Sequence, residues 1–323
     1  MRFGICGEGR RTVALPALLC FVALVLAGSA AAQSENVTLL GHLDNHTQQY
    51  SGIWGYTAPN GTELAIIGVE NGTSFVNVTN PANPVEVAFF SHPSTIWTEI
   101  RTFGHYAYWS NDQSASGLGI VDLIDPLNPV FVRFHTAFTT CHSLHMDTQA
   151  GYLYCNGCSS NRTFILNVGA NPTNPPTVAI FNDYYVHDSY SRDGIAYFAA
   201  IVDGAIGIED FTSPPTFINE SFTNYPGAAT HNCWLTDDSR YLLTSDETTG
   251  GHLKIWDVLD KANPVQVLRL RCRVMTRSFT TSMCAGISRW RRGTRPAFRC
   301  LTSPILRAAT RGLLRHLPGH GKL

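Results

Sequence analysis

The chain has 323 residues, 44% of them hydrophobic and 15% charged, which is ample for a large packed core and too long for one small domain unless the chain repeats. Its net charge of −1 hides an asymmetry, since residues 33–268 hold 23 acids against 7 bases whereas residues 269–323 hold 13 bases and no acid. An acidic body of this kind excludes nucleic acid as a partner, because that needs a basic face.

The first 32 residues read as an address. Arg2, Arg10 and Arg11 precede the apolar run VALPALLCFVALVLA (13–27), and GSAAAQ ends in an Ala30-x-Ala32 cleavage pattern. The run is too short and too proline-interrupted for a membrane span, so a cleaved secretory signal over 1–32 is expected, with no span remaining after cleavage. The expected location is outside the cell or on its surface. Sequons at Asn36, Asn45, Asn60, Asn71, Asn77, Asn161 and Asn219 would then be glycan acceptors in a eukaryotic host.

Residues 36–43, NVTLLGHL, read as a lone outer strand that would close a ring from the other end of the chain. A repeat follows. GTSFVNVTNPANPVEV (72–87) and GLGIVDLIDPLNPVFV (117–132) are near copies, and drifted versions lie at 161–178, 204–217 and 251–267. Pro84, Pro129, Pro175, Pro215 and Pro264 mark them at spacings of 45, 46, 40 and 49 residues. Within each copy an alternating run such as IVDLI is a strand, the next Asp or Asn closes a turn through its own side chain, and Pro stops the ladder. Each copy is therefore a hairpin. A strand rich in aromatic and β-branched residues precedes it: ELAIIGV (63–69), HYAYWS (105–110), GYLYCN (151–156), GIAYFAA (194–200) and RYLLTS (240–245). An earlier strand opens each unit: SGIWGY (51–56), STIWTEI (94–100), HSLHMD (142–147), HDSYSR (187–192) and HNCWLT (231–236). Four strands every 40–50 residues predict an all-β chain, a β-propeller of four-stranded blades over residues 33–268. Five blades are expected in an incomplete ring, because the period stops after residue 268. Residues 269–323 form a basic, non-homologous tail. It reads either as an anion-binding or disordered segment, or as sequence from a shifted frame or alternative exon.

The copies IVDLIDPLNPV and FVNVTNPANPV resemble LVIVD repeats. The stretches GIWGYTAPNGTELAIIGVENGTSFVNVTNPANPV (52–85) and THNCWLTDDSRYLLTSDE (230–247) are similar to the choice-of-anchor B family of secreted propeller-like proteins. The resemblance covers roughly residues 35–268. It implies an extracellular β-propeller and carries no settled reaction with it. IWDV at 255–258 resembles a WD-repeat strand only weakly.

The candidate chemistry is positional. His142, His187 and His231 open three successive units, 45 and 44 residues apart, with Ser51 and Ser94 at the same place in the first two. If opening strands are innermost, these imidazoles ring the channel and converge as metal ligands, with Asp188 and Asn232 beside two of them. Alternatively each histidine caps the backbone of the neighbouring blade. A second group, CHSLH (141–145) with CNGC (155–158), offers zinc spacing, but Cys155 and Cys158 end a strand whose side chains alternate. In an oxidising compartment, disulfides among Cys141, Cys155 and Cys158 compete with that reading. Asp237, Asp238, Asp246 and Glu247 are candidate Ca²⁺ ligands or solvated loop carboxylates. Trp54, Trp97 and Trp234 share a strand position and are expected to pack between blades. The chain carries no nucleophile elbow, phosphate loop or His-Glu-x-x-His. Two functions remain: a non-catalytic module binding an extracellular protein, glycan or small ligand, or a hydrolase using a divalent ion, Zn²⁺ or Ca²⁺, in the channel.

Overall fold

The computed structural model describes residues 38–248 and 251–271; the expected signal over 1–32, the sequon at Asn36 and tail residues 272–323 lie outside the described residues. Among the described residues twenty strands form five antiparallel sheets of four, each meandering in chain order. Blade 1 is β1 (Tyr50–Thr57), β2 (Glu63–Val69), β3 (Gly72–Asn77) and β4 (Val85–Ser91). Blade 2 is β5 (Ile100–Phe103), β6 (Tyr106–Trp109), β7 (Leu118–Asp122) and β8 (Val130–His135). Blade 3 is β9 (Ser143–Asp147), β10 (Tyr152–Cys158), β11 (Arg162–Asn167) and β12 (Thr177–Phe181). Blade 4 is β13 (Asp188–Arg192), β14 (Ile195–Ala200), β15 (Ala205–Asp210) and β16 (Ile218–Asn224). Blade 5 is β17 (Thr230–Leu235), β18 (Tyr241–Asp246), β19 (His252–Asp257) and β20 (Val265–Arg271). Among the described residues no helix is long and apolar enough to cross a membrane.

The repeated sentence folds as its chemistry requires. Asn77, Asp122 and Asp257 each accept a hydrogen bond from the amide two residues on, at 3.0, 2.8 and 3.1 Å. Asn80, Asp125 and Asp260 do the same at 3.2, 3.1 and 3.1 Å, so two Asx turns in series reverse the chain before the outer strands of blades 1, 2 and 5. The opening strands β1, β5, β9, β13 and β17 pack side by side in chain order, which places them innermost. Strand alternation then builds the core. Tyr108 and Ile120 face blade 3, against Leu144, Leu153 and Phe164, whereas their neighbours Trp109 and Val121 turn to Leu64, Ile66 and Phe75 of blade 1. Blades 3 and 4 meet through Tyr154, Ile165, Phe198 and Phe211, and blades 4 and 5 through Tyr197, Ile208, Leu242 and Trp256. Each such side chain contributes about 1.5–3 kcal/mol by leaving water.

Three details differ from the sequence expectation. Residues 38–43 form no strand; Gly41 instead lies so close to the β3–β4 turn that a Cβ there would collide with the Pro81 carbonyl. The opening strand of blade 2 starts at Ile100, not at Ser94. Thr95 forms a local turn with Trp97, and the Ile96 amide is taken by Gln113, so 94–99 is a loop. Finally, β20 runs to Arg271, three residues past the expected boundary at 268, so the basic segment begins inside the last outer strand.

Glu209 on β15 is fully buried, with Oε1 accepting from Tyr184 Oη at 2.8 Å and Asn219 Nδ2 at 2.9 Å and Oε2 unpartnered. Burial raises this carboxyl from 4.5 to about 7. The folded state therefore holds the proton more tightly than the unfolded chain, and stability is full below the unfolded value and is lost as pH rises through 7. Glu209→Gln is expected to raise the thermal midpoint at pH 8, with the advantage disappearing below about pH 4.5; thermal unfolding across that pH range checks it.

Candidate functional site

His142 immediately precedes β9, His187 immediately precedes β13, and His231 is the second residue of β17. The three therefore reach the axis at one end of the propeller, although 89 residues of chain separate the outer two. The loops joining second to third strands open on that same end. They bring Asp112, between β6 and β7, and Glu247, between β18 and β19. The His142 and His187 Nε2 atoms stand 2.9 Å apart, with ring centroids at 4.3 Å, and the His187 and His231 rings are also 4.3 Å apart. The His142 Nδ1 faces the Asp112 carboxylate at 3.0 Å, and His187 Nδ1 faces the main-chain carbonyl of His231 at 2.9 Å. His231 Nε2 lies 3.5 Å from Glu247 Oε2. His187, His231 and Glu247 offer three ligand atoms all within 4.8 Å of one another, and His142 adjoins this set through His187. Glu247 is 40% exposed, so the cluster opens to solvent on its side.

Charge is distributed unevenly over this cluster. Burial opposes protonation of His142, but the hydrogen bond and charge of Asp112 outweigh it and hold the ring above its ordinary value. Burial and the neighbouring His142 and His231 rings push His187 down to about 3. His231 is lowered by burial, partly offset by Glu247. Of the three rings, His142 is thus the one whose surroundings favour the proton, and its Nε2 faces that of His187. Asp188 is buried just below, and burial together with Glu99 raises its carboxyl to about 7 against the opposing pull of Arg101. Asn232 is buried and accepts from Ser245 Oγ at 2.6 Å, so it braces β17 against β18.

Other predicted residues disperse. Ser94 sits on the exposed 94–99 loop and donates to Glu70, while Glu99, directly before β5, holds the place that His142 and His187 hold in their blades. Ser51 lies on β1 with its Oγ buried and unpartnered. The zinc set that the spacing of CHSLH and CNGC offered does not assemble, because His142 faces the axial cluster while buried His145 bonds the Ser191 carbonyl at 3.2 Å. Asp237 and Asp238 lie in the turn between β17 and β18, and Asp246 and Glu247 at the other end of β18. Roughly 20 Å of strand separates the two pairs, so they form no common Ca²⁺ site. Asp246 is instead an internal partner of Lys254 and Tyr225. Trp54 carries Arg101 over its ring at 4.5 Å, and Trp234 packs on Tyr190 at 4.9 Å, but Trp97 is 52% exposed on its loop. Asp112 is the site residue that the sequence reading missed. Its only sequence mark is that it follows a second strand, as Glu247 does.

No family model and no curated protein matches the chain. Solved structures do. A protein of Bacteroides uniformis ATCC 8492, provisionally named a 6-phosphogluconolactonase, superposes with a TM-score of 0.53 at 11% identity, over 71% of this chain and 74% of its own. A protein of Bacteroides fragilis NCTC 9343 with the same provisional name gives 0.53 at 10% identity, over 71% and 73%. This likeness establishes the fold, a β-propeller, and at such identity nothing finer.

Ser143 Oγ donates to the His187 carbonyl at 2.7 Å and accepts from Asn156 Nδ2 at 3.2 Å, tying the strand after His142 to the residue that carries the next imidazole. Ser143→Ala is expected to cost about 1 kcal/mol, read from the denaturant midpoint at unchanged m-value.

Proposed function

We propose that this chain is an extracellular binding propeller whose axial cluster holds a divalent metal ion, and through it a ligand or partner group. The observation that carries the reading is the pair of facing imidazole nitrogens. Each of the two rings has its Nδ1 against a pure acceptor, the Asp112 carboxylate or the His231 carbonyl, so the proton of a neutral ring belongs on Nδ1. Both Nε2 lone pairs then point into one gap of 2.9 Å, where they repel unless a proton or a cation stands between them. Metal-ligating histidines characteristically give their second N–H to a carboxylate or a backbone carbonyl. Two nitrogens about 2.1 Å from one tetrahedral ion are about 3.4 Å apart, so the rings need to part by only a few tenths of an ångström. His187, His231 and Glu247 supply the converging set, and His142 the fourth donor. A set dominated by imidazole suits Zn²⁺ or another first-row ion better than Ca²⁺, which prefers oxygen.

The extracellular setting rests on the signal pattern over 1–32 and on the resemblance to LVIVD-repeat, choice-of-anchor B proteins. Asn45, Asn60, Asn71 and Asn161 are exposed, as glycan acceptors must be, whereas the Asn219 amide is engaged by buried Glu209. The second reading, a metal-dependent hydrolase, is favoured by the exposure of Glu247, since an ion with an open position on that side would bind water. The lactonase names belong to the fold neighbours and reach this chain as a substrate class to be tried.

Metal analysis of the purified full chain is expected to find about one equivalent of zinc, removed by chelation and absent from His187→Ala. Asp112→Asn, which touches no ion, is expected to weaken zinc binding by about 10–100-fold. A wild-type chain that takes up no zinc, cobalt or manganese on titration overturns the reading. Zinc-dependent turnover of a simple ester or lactone would replace the binding module by the hydrolase.

A further inference from the structure

Cys141, Cys155 and Cys158 share one fully buried cluster between blades 2 and 3, a few residues from the axial site but outside it. Ordinary strand alternation would send Cys155 and Cys158 to opposite faces of β10. The backbone prevents this. Gly157 adopts a left-handed φ of +57°, and the pairing of β10 with β11 shifts register between Cys155 and Cys158. On the other edge, His142 N donates to Asn156 O at 3.0 Å and Ser159 N donates to Thr140 O at 3.1 Å, so Cys141 stands opposite the bulged pair Gly157–Cys158. The Cys158 thiol is thereby turned onto Cys141, with the sulfurs 2.6 Å apart, well inside the separation of unbonded sulfur atoms. The Cys155 thiol, on the same strand as Cys158, also lies within hydrogen-bonding reach of Cys141.

We propose that Cys141 and Cys158 are joined by a disulfide, with Cys155 remaining a thiol beside it. The two thiols lose two protons and two electrons to form the S–S bond. A disulfide oxidant, oxidised glutathione or the disulfide of a dithiol oxidoreductase, takes both and leaves as two thiols. The bond is expected to be inert once made. Burial raises the remaining Cys155 thiol well above its ordinary value, so the thiolate that would attack the disulfide is scarce.

The consequence lies in the turn over His142. A Cβ on Gly157 would fall 3.0 Å from His142 Cβ and 2.9 Å from Tyr185 Oη, so residues 156–159 form the roof that holds the His142 ring in place. A bond from Cys158 to the residue preceding His142 fastens that roof to its own floor. The inference stands whether or not the axial cluster binds metal.

The test uses the full chain, folded in a glutathione redox buffer and then unfolded without reductant in excess N-ethylmaleimide. Trypsin releases residues 134–162 as one peptide holding all three cysteines. The expected peptide carries a single label, located on Cys155 by fragmentation, and is two mass units lighter than the fully reduced peptide with one label. Cys155→Ala is expected to give the same peptide unlabelled, and its thermal midpoint is expected to fall on reduction. Three labels in the wild-type peptide overturn the proposal, as does a single label on Cys158 or Cys141.

Discussion

An opening strand at the axis of a propeller has a sheet partner on one side only, and everything else in this molecule depends on how its other edge is satisfied. Left bare, five such edges would present unpaired backbone groups to the channel. Here blades 1, 3 and 4 each supply the next with a bond of their own. The Gly52 amide donates to the Thr98 carbonyl at 3.2 Å, Ser143 Oγ donates to the His187 carbonyl, and His187 Nδ1 donates to the His231 carbonyl. His145 reaches the Ser191 carbonyl in the same way, one turn of the pleat further along. Buried Asn156 links Ser143 to Ser189 across the same seam at 3.2 and 2.8 Å. These bonds are worth about 1 kcal/mol each, but they fix the stagger between inner strands, and the stagger decides which side chains share a level.

The apolar contacts between blades could not do this alone. Trp109, Phe90 and Phe131 stack at 5.9–6.5 Å, and such surfaces tolerate small slides. A hydrogen bond from a ring nitrogen to one particular carbonyl does not. The polar seam therefore sets the register, and the aromatic layers supply most of the stabilising area.

Much of this was legible in the chain. The Asn/Asp–Pro wording specifies its turns through short local bonds, so the repeat, the five blades and the level of His142, His187 and His231 could be read from spacing. What escaped is informative. The 94–99 loop carries strand-like residues, but Pro93 and the Thr95–Trp97 turn compete locally, and the strand begins only where Ser110 can pair with Glu99. The alternation through Cys155 and Cys158 was misread because one glycine in a left-handed conformation inverts it. Asp112 and Glu247 lie in loops of different length, where no periodicity points to them. In each case the missing information is tertiary: a partner that only the folded neighbour supplies.

At His187 the two readings of the repeated histidine, backbone cap or metal ligand, are compatible. Serine can cap a neighbouring strand, as Ser143 does, but it then has little left to offer the channel. Imidazole has two nitrogens on opposite sides of the ring. In His187 one of them closes the seam to blade 5, and that bond itself fixes the tautomer that leaves the other bare toward His142. Blades 1 and 2 place Ser51 and Glu99 near this level, and blades 3, 4 and 5 place imidazoles. The fold repeats, but the donor set is confined to one sector of the axis, where Asp112 and Glu247 flank it. In His187 the cap on the neighbouring blade is made from a side chain that closes the seam with one nitrogen and still turns the other toward the axial cluster.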